Sequence, residues 1–264
     1  MTILEAFILG LIQGITEFLP VSSSGHLLIA RSVIGLEDIP LLFDVFLHVA
    51  TLVAVMLVFR RRIIGILGSL RRFIMRKTAE PDRENLRLTT IILGASICTA
   101  VVGGGLSLVE LTQYPKIVSV LFIVTGLFLL GARLAKGAIG YREAGMKQSL
   151  ITGVAQGLGV LPGISRSGIT ISAALLAGMD RDKAGEFSFL IAIPAIIGAL
   201  ALELRQTGDL MTVVPPMVLG VGVAAAFLSG LASLLVLLKV IRRGKLHWFC
   251  VYLFPLGIIG IIFL

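Results

Sequence analysis

Several apolar runs of about twenty residues restrict this chain to one class of structure. Of its 264 residues, 57% are hydrophobic and 14% are charged. A run of roughly 20 apolar residues is long enough to cross the hydrocarbon core of a bilayer. We therefore predict an all-α polytopic membrane protein in which residues 1–264 form a single membrane-embedded domain.

Six of these runs are predicted to be spanning helices. They are Leu41 to Phe59, Leu88 to Val109, Ile117 to Ala135, Phe187 to Leu204, Val213 to Leu238 and Leu246 to Leu264. Residues 60–87 carry nine Lys and Arg residues and are predicted to be a cytoplasmic loop by the positive-inside rule. Residues 133–147 and 239–245 are basic too. These blocks explain the net charge of +8, so no nucleic-acid partner is predicted.

The N-terminus and the cysteines point to no processing or metal chemistry. The chain begins Met-Thr-Ile-Leu-Glu without a basic region, so the first apolar segment is expected to remain in the protein. Cys98 and Cys250 lie within apolar runs and lack the spacing of a metal site or a disulfide. We expect both to be packing residues.

Two further stretches are predicted to be re-entrant hairpins. Ile3 to Leu36 and Leu150 to Met179 each consist of two short apolar arms that are separated by a hinge rich in Pro, Ser and Gly. Arms of about 12 to 17 residues are too short to span. Irregular backbone at membrane depth is tolerated only where it is buried in protein or lines a wet cavity, so the hinges mark a cavity.

The two hairpins also match each other without a gap at an offset of 143 residues. The matched pairs are Gly10/Gly153, Gln13/Gln156, Gly14/Gly157, Ser22/Ser165, Ser24/Ser167, Gly25/Gly168, Ala30/Ala173 and Gly35/Gly178. Three spans separate the hairpins, and an odd number of crossings reverses orientation. We therefore predict an inverted-topology repeat, with repeat 1 over about 1–135 and repeat 2 over about 148–264, whose hinges meet near the midplane.

The charges of the two hinges are not symmetric. Glu17 and His26 belong only to the first hinge, opposite Val160 and Ile169, and Arg166 belongs only to the second. Charged side chains are costly at membrane depth and are candidates for function. The structural alternative is a buried Glu17–Arg166 ion pair that merely clamps the two halves together.

The serines favour an anion site. Ser165, Arg166, Ser167 and Gly168 precede an apolar arm, which places hydroxyls and free backbone N–H groups at a helix start beside a guanidinium. The segment Ser22-Ser23-Ser24-Gly25 repeats the arrangement. Taken singly, such serines are more often helix caps or packing residues.

His26 follows Ser23 by three residues, which places the two on one helix face. The imidazole can activate the hydroxyl as a general base, act as the nucleophile itself, or donate a proton to a leaving group. Glu17 is expected to orient that imidazole or to help hold a divalent cation. His48 and His247 are interpreted as structural.

Three acidic or basic residues near the hairpins have two interpretations. Asp44 and His48 lie four residues apart at the start of the first predicted span, and Glu186 opens the matching span of the second half. They line the cavity entrance, or they pair at helix ends with Arg31, Arg181 or Lys183.

Four motifs resemble the undecaprenyl-pyrophosphate phosphatase family, also called the bacitracin-resistance family. They are Gln13-x-x-x-Glu17-Phe-Leu-Pro-Val-Ser-Ser-Ser-Gly-His26, Phe43-Asp-Val-Phe-Leu-His48, Pro162-Gly-Ile-Ser-Arg-Ser-Gly168 with Thr170, and Glu186-Phe-Ser-Phe-Leu-Ile-Ala-Ile-Pro194. The resemblance covers nearly the whole chain in the right order. It implies a multi-pass enzyme of the inner (plasma) membrane that hydrolyses a C55 polyprenyl pyrophosphate to the monophosphate and phosphate. It also implies that bacitracin competes for this lipid, which is the carrier of cell-wall synthesis.

The resemblance also implies which residues act. The catalytic set falls on Glu17, Ser23, His26 and Arg166, and a divalent cation, Mg²⁺ or Ca²⁺, assists while associated with the substrate, with Glu17 as its candidate ligand. The expected phosphate contacts are Gln13, Ser22, Ser24, Gly25, Ser165, Ser167, Gly168 and Thr170. The family pattern often has Glu where this chain has Gln13, and an amide cannot be a general base. The protein is expected to act as a monomer or as a homodimer.

Two other functional classes compete with the phosphatase. A secondary transporter or lipid flippase fits the inverted repeat and the broken helices, but the asymmetric set of acid, base and cation suits bond cleavage better. A non-catalytic bacitracin-binding or scaffold protein would not depend on these residues at all.

The predicted topology has a direct test. In a variant without Cys98 and Cys250, single cysteines placed in residues 60–87 and in residues 239–245 should react with an impermeant thiol reagent from the same side of the membrane. Labelling from opposite sides would contradict the inverted repeat.

Overall fold

The protein is all-helical in this computed structural model, which describes residues 1–36, 41–109, 111, 113–135, 137–203 and 214–263. The described part contains eleven α-helices. They are α1 (Ile3–Phe18), α2 (Ser23–Ile34), α3 (Leu41–Val58), α4 (Arg60–Ile74), α5 (Asp82–Leu106), α6 (Pro115–Gly131), α7 (Met146–Leu158), α8 (Arg166–Leu176), α9 (Arg181–Glu203), α10 (Pro216–Arg242) and α11 (Cys250–Phe263). Short 3₁₀ turns extend α6 at its end and precede α11.

Long apolar helices agree with the prediction of a polytopic membrane protein. Five helical stretches, containing α5, α6, α9, α10 and α11, are long and apolar enough to cross a bilayer, and a sixth candidate joins α3 to α4 across a bend of 75°. Each of the six predicted spans falls on one of these helices. The predicted span ends at Leu204, Val213 and Leu264 lie outside the described residues.

The predicted loop over residues 60–87 is wrong in its first half, because residues 60–74 form α4. Polar side chains recur along this helix at Arg62, Ser69 and Arg72, and they face α5. There Ser69 donates to Asp82 over 2.8 Å, and Arg62 bonds to Glu84 over 2.9 Å. The density of charge suggested a loop, whereas the helical spacing of these partners stabilises a helix.

The four helices of the two predicted hairpins are shorter than a span: α1 and α2 have 16 and 12 residues, and α7 and α8 have 13 and 11. The chain turns between α1 and α2 at residues 19–22 and between α7 and α8 at residues 159–165. We call these turns together with the helix ends beside them, residues 17–26 and 159–168, the first and second hinge. Each hinge is fixed by a capping serine, Ser22 or Ser165, which accepts a hydrogen bond from the backbone N–H three residues later.

Glycines allow the first arm of each hairpin to lie directly against a long helix. A β-carbon at Gly14 of α1 would lie 2.6 Å from the nitrogen of Gly230 in α10. A β-carbon at Gly157 of α7, the counterpart of Gly14, would lie 2.6 Å from the β-carbon of Val102 in α5. Both distances are below van der Waals contact, so only glycine permits these helices to approach so closely. The matched glycines of the two hairpins thus serve the same purpose.

Buried aromatic residues pack next to the hinges, at the ends of the short helices. Phe18, the last residue of α1, is 3% exposed and packs edge-to-face on Phe189 of α9, with ring centroids 5.8 Å apart. Phe122 of α6 is 1% exposed and packs on His26 of α2. Aromatic contacts of this kind fix the ends of the short helices.

The close contact between α1 and α10 predicts an unequal response to one added methyl group. Gly14→Ala should lower stability by about 1–3 kcal/mol, because the methyl group has no space against α10. Gly220→Ala is the matched control, since nothing lies within 4 Å of its added β-carbon and alanine favours the helix. Thermal unfolding in detergent measures both. Equal melting temperatures for the two variants would contradict the packing.

Candidate functional site at the meeting of two hinges

The two hinges are tied directly to each other. The N–H of Gly163 in the second hinge donates to the hydroxyl of Ser22 over 3.1 Å. The hydroxyl of Ser167 donates to the carbonyl oxygen of Phe18 over 2.9 Å. Ser22 and Gly163 both have positive φ, at 70° and 93°. A serine in this region is strained, so the surrounding contacts must hold the hinge in place.

Glu17 is the centre of the site. Its carboxylate is 3% exposed and pairs through one oxygen with the guanidinium of Arg166 from the other hinge. The second oxygen accepts hydrogen bonds from the Ser23 hydroxyl at 2.7 Å and from the Gln13 amide at 3.1 Å. The structure therefore brings Gln13, Glu17, Ser23 and Arg166 together, and Gln13 has the hydrogen-bonding role that its amide allows.

The predicted pairing of Ser23 with His26 is wrong in this structure, since the Ser23 hydroxyl donates to Glu17 instead. The Nδ1 atom of His26 lies 2.7 Å from the carbonyl oxygen of Ser22, and Nε2 lies 2.6 Å from the hydroxyl of Tyr252 in α11. A carbonyl only accepts, so Nδ1 carries a proton and Nε2 is the nitrogen that exchanges one. The bond to the carbonyl of Ser22, the capping residue before α2, turns the ring away from Ser23.

His48, which the sequence left as either structural or lining the cavity entrance, lies beside Glu17 in the structure. Its Nε2 lies 3.7 Å from the carboxylate of Glu17. Its Nδ1 lies 2.9 Å from the carbonyl oxygen of Asp44 and must carry a proton. Nε2 attracts the carboxylate only when the imidazole is doubly protonated. In the sequence, the indication that His48 could belong to the site is its position one turn after Asp44, in the helix that follows the first hairpin.

The other residues near the hairpins pair at helix ends. Asp44 forms an ion pair with Arg31, as one of the two interpretations predicted. Glu186 instead pairs with Arg62 of α4 over 2.6 Å, and not with Arg181 or Lys183. That partner could not be foreseen while residues 60–74 were taken as a loop.

The predicted phosphate contacts are largely engaged within the protein. The N–H groups of Gly25 and Gly168 donate to Ser22 and Ser165, at 3.4 and 3.1 Å. The hydroxyl of Thr170 donates to the Arg166 carbonyl oxygen over 2.7 Å. Their roles as phosphate ligands remain predictions.

Two of the predicted contacts differ in exposure. Ser167 is 6% exposed and its hydroxyl donates to Phe18. Ser24 is exposed at the start of α2, and its hydroxyl lies 3.4 Å from that of Ser22. Of the serines predicted to contact phosphate, Ser24 is thus the exposed one.

A narrow cavity adjoins the ion pair. Its lining includes apolar residues such as Phe189 together with five polar ones, Glu17, Arg166, Ser167, Thr170 and Ser188. About 10 Å³ is open to the centre of a water-sized sphere, which is room for about one water molecule. An entering phosphate group must therefore displace side chains.

The acidic side chains of the described residues do not form a metal-binding cluster. Within the described ranges, no cluster of three or more His, Cys, Asp or Glu side chains is placed to hold a metal ion. Glu17 alone offers a carboxylate, and Arg166, Ser23 and Gln13 already occupy it. One carboxylate suits a cation that keeps its waters and arrives bound to phosphate oxygens.

Comparison with known proteins gives a consistent result. A family profile described as bacitracin resistance protein BacA matches residues 6–259. The undecaprenyl-diphosphatase of Treponema denticola is 47% identical over 98% of this chain and 96% of its own length. The proteins of the same name from Borreliella burgdorferi and Carboxydothermus hydrogenoformans are 40% and 39% identical, over 97% and 96% of this chain and 96% and 94% of their own.

The buried ion pair predicts a strong and non-additive loss of stability. Arg166→Met leaves the buried Glu17 carboxylate without its cation and should cost about 3–5 kcal/mol. The double variant Glu17→Gln with Arg166→Met should recover part of that loss. Arg242→Met is the control, because its pair with Asp182 is exposed on both sides and should cost at most about 1 kcal/mol. Strictly additive losses in thermal unfolding would show that the pair is not coupled.

Proposed function

Since the chain belongs to the bacitracin resistance protein BacA family, we propose that it is a membrane phosphatase that hydrolyses undecaprenyl pyrophosphate to undecaprenyl phosphate and inorganic phosphate. Relatives named undecaprenyl-diphosphatase support this substrate. The observation that carries the proposal is the Glu17–Arg166 pair, in which one hinge supplies an acid with a serine hydroxyl on it and the other supplies a guanidinium.

We propose that the two hairpins are re-entrant and related by an inverted repeat within one domain. The four short helices, the capping serine in each hinge and the matched glycine contacts support this arrangement. The isoprenoid tail then lies among the long helices in the plasma membrane, and the pyrophosphate reaches the hinges. In transporter folds, too, broken helices meet near the membrane midplane, at the interface between the repeats.

In the first step, the terminal phosphate exchanges for Glu17 as the partner of Arg166. The Arg166 side chain is 24% exposed and that of Glu17 is 3% exposed, so an incoming anion meets the guanidinium first. Bidentate donation to phosphate oxygens suits a guanidinium, and it stabilises the charge that develops on the transferred phosphoryl group. Glu17 loses a neighbouring cation and becomes a better proton acceptor.

In the second step, the Ser23 oxygen attacks the terminal phosphorus while its proton passes to Glu17, the acceptor of its hydrogen bond. The bond from phosphorus to the bridging oxygen breaks, and undecaprenyl phosphate leaves. His26, when doubly protonated, gives its Nε2 proton to the departing oxygen, because Nδ1 is held by the Ser22 carbonyl, and the same nitrogen then accepts a proton from the attacking water. Water then cleaves the phosphoserine and regenerates the hydroxyl. Direct attack by water, with Ser23 as a positioning group, is the alternative.

The divalent cation belongs to the substrate in this proposal. Mg²⁺ or Ca²⁺ on the pyrophosphate neutralises charge and bridges the phosphate oxygens. Bacitracin, which the family description names through resistance, competes by holding the same lipid. Transport without hydrolysis and a scaffold role have no support among the relatives, which are named as diphosphatases.

A phosphate-release assay with purified protein and polyprenyl pyrophosphate tests the proposal. Glu17→Gln, Ser23→Ala, His26→Asn and Arg166→Gln should each lower kcat by about 10²–10⁴, because each removes a proton-transfer, nucleophilic or charge-stabilising group. Glu5→Gln and His247→Asn are matched controls outside the site and should retain activity. Near-normal turnover in correctly folded site variants would refute the assignment.

Removal of the cation is a separate prediction. Excess chelator should abolish phosphate release from the wild-type protein, and added Mg²⁺ or Ca²⁺ should restore it, since the substrate then regains its charge-neutralising ion. Unchanged turnover in chelator would show that Arg166 and the hinge donors suffice without a cation.

A further inference from the structure

The two faces of helix α4 are oriented opposite to those of a surface helix on a water-soluble protein. Its polar face is directed at the protein: the Ser69 hydroxyl accepts from the Asn85 amide at 2.9 Å and donates to Asp82 at 2.8 Å. The guanidinium of Arg72 bonds to the same Asp82 carboxylate, with Nε 3.0 and 3.1 Å from its two oxygens. The polar side chains that would make α4 soluble are therefore used to attach it to α5.

The outward face of α4 is apolar and uncovered. Ile64 is 67% exposed, Leu67 is 59% exposed and Ile74 is 73% exposed, and Phe73 beside them is 58% exposed. Ile64, Leu67 and Ile74 recur at helical spacing along one side of the helix. An exposed apolar stripe of this kind requires a hydrophobic partner.

Helix α4 is not the continuation of a span. It is bent by 75° from α3, and α3 alone is 18 residues long, or about 27 Å, which is close to the thickness of the hydrocarbon core. Arg60, Arg61 and Arg62 open α4, and three guanidinium groups at membrane depth would be prohibitively unfavourable. With α3 upright, a bend of this size places α4 nearly parallel to the membrane surface.

The charge of this segment identifies the chemistry of its partner. Residues 60–77 carry seven Lys and Arg residues and no Asp or Glu. Arg62 and Arg72 pair with carboxylates of α5. Within the part of the chain that the structure describes, no salt bridge involves the other five, which are all exposed: Arg60, Arg61, Arg71, Arg76 and Lys77. Cations beside an apolar stripe are the pattern of a helix that binds an anionic membrane surface.

We propose that α4 lies in the interface of the cytoplasmic leaflet and binds anionic phospholipids. Ile64, Leu67 and Ile74 enter the acyl region, and the unpaired cations at both ends contact the headgroups, to which long side chains can extend. The contacts with α5 fix which face is turned to the lipid. This inference is independent of the phosphatase reaction, because none of these side chains reaches the hinges.

Tryptophan quenching by brominated lipids tests the position of α4. The chain has one tryptophan, so Trp248→Phe gives a silent background for Leu67→Trp, with Ile64→Trp as a second reporter in case the first does not fold. Leu228→Trp, 63% exposed near the middle of α10, is the deep control, and Glu80→Trp is the aqueous control. In vesicles, the Leu67→Trp variant should be quenched most by bromines near the headgroup and the Leu228→Trp variant by bromines near the chain ends.

The same reporter tests the charge. At equal mole fractions, brominated phosphatidylglycerol should quench the Leu67→Trp variant at least about threefold more effectively than brominated phosphatidylcholine, because anionic lipid is enriched beside the cations. Adding Arg71→Gln and Arg76→Gln to this variant should reduce the preference, whereas adding the control pair Arg243→Gln and Lys245→Gln should not.

Three results would overturn the proposal. Quenching of the Leu67→Trp variant at the depth found for the Leu228→Trp variant would make α4 part of a span. Absence of quenching by any lipid would show that the stripe lies outside the bilayer, either in water or covered by protein such as a second copy of the chain. Equal quenching by the two lipids would remove the anionic preference.

Discussion

The pairing of Glu17 with Arg166 is the interaction on which the rest of the structure depends. A carboxylate that is 3% exposed inside a membrane protein needs a cation, and the cation comes from a hinge 149 residues away in the chain. Both hinges must therefore reach the same point. The capped turns, the short helices and the contacts of Ser22 with Gly163 and of Ser167 with Phe18 all serve that meeting.

Close helix packing makes the meeting possible. Gly14 lets α1 lie against α10, and Gly157 lets α7 lie against α5, where a β-carbon would come 2.6 Å from that of Val102. In a bilayer the hydrophobic effect does not drive helices together, so such close contacts between backbones are a main source of stability. The hinges are thus held by two pairs of closely packed helices, which keep the polar groups between them oriented when, in the proposed reaction, a phosphate replaces Glu17 as the partner of Arg166.

The sequence allowed prediction of the features that follow from spacing and from charge. Apolar run lengths located the spanning helices, and the asymmetry of the matched hinges singled out Glu17 and Arg166. Apart from the Glu17–Arg166 pair, contacts between distant segments could not be predicted. His26 bonds to Tyr252, 226 residues away, rather than to Ser23, and His48 approaches Glu17 from a helix whose orientation no local pattern fixes. Helix α4 was not predicted because a segment with so many arginines is typical of a loop. The partners of Arg62 and Arg72 on α5, which stabilise the helix, are not evident from the sequence.

Competition between Glu17 and the substrate phosphate for Arg166 is the central claim. Its most direct test is the equilibrium binding of a non-hydrolysable polyprenyl methylenediphosphonate to three proteins at one fixed concentration of divalent cation. Glu17→Gln should bind the analogue more tightly than the wild type, since the guanidinium no longer has an anionic partner within the protein. Arg166→Gln should bind it roughly 30-fold more weakly or worse. Weaker binding by Glu17→Gln, or unchanged binding by Arg166→Gln, would contradict the exchange of partners.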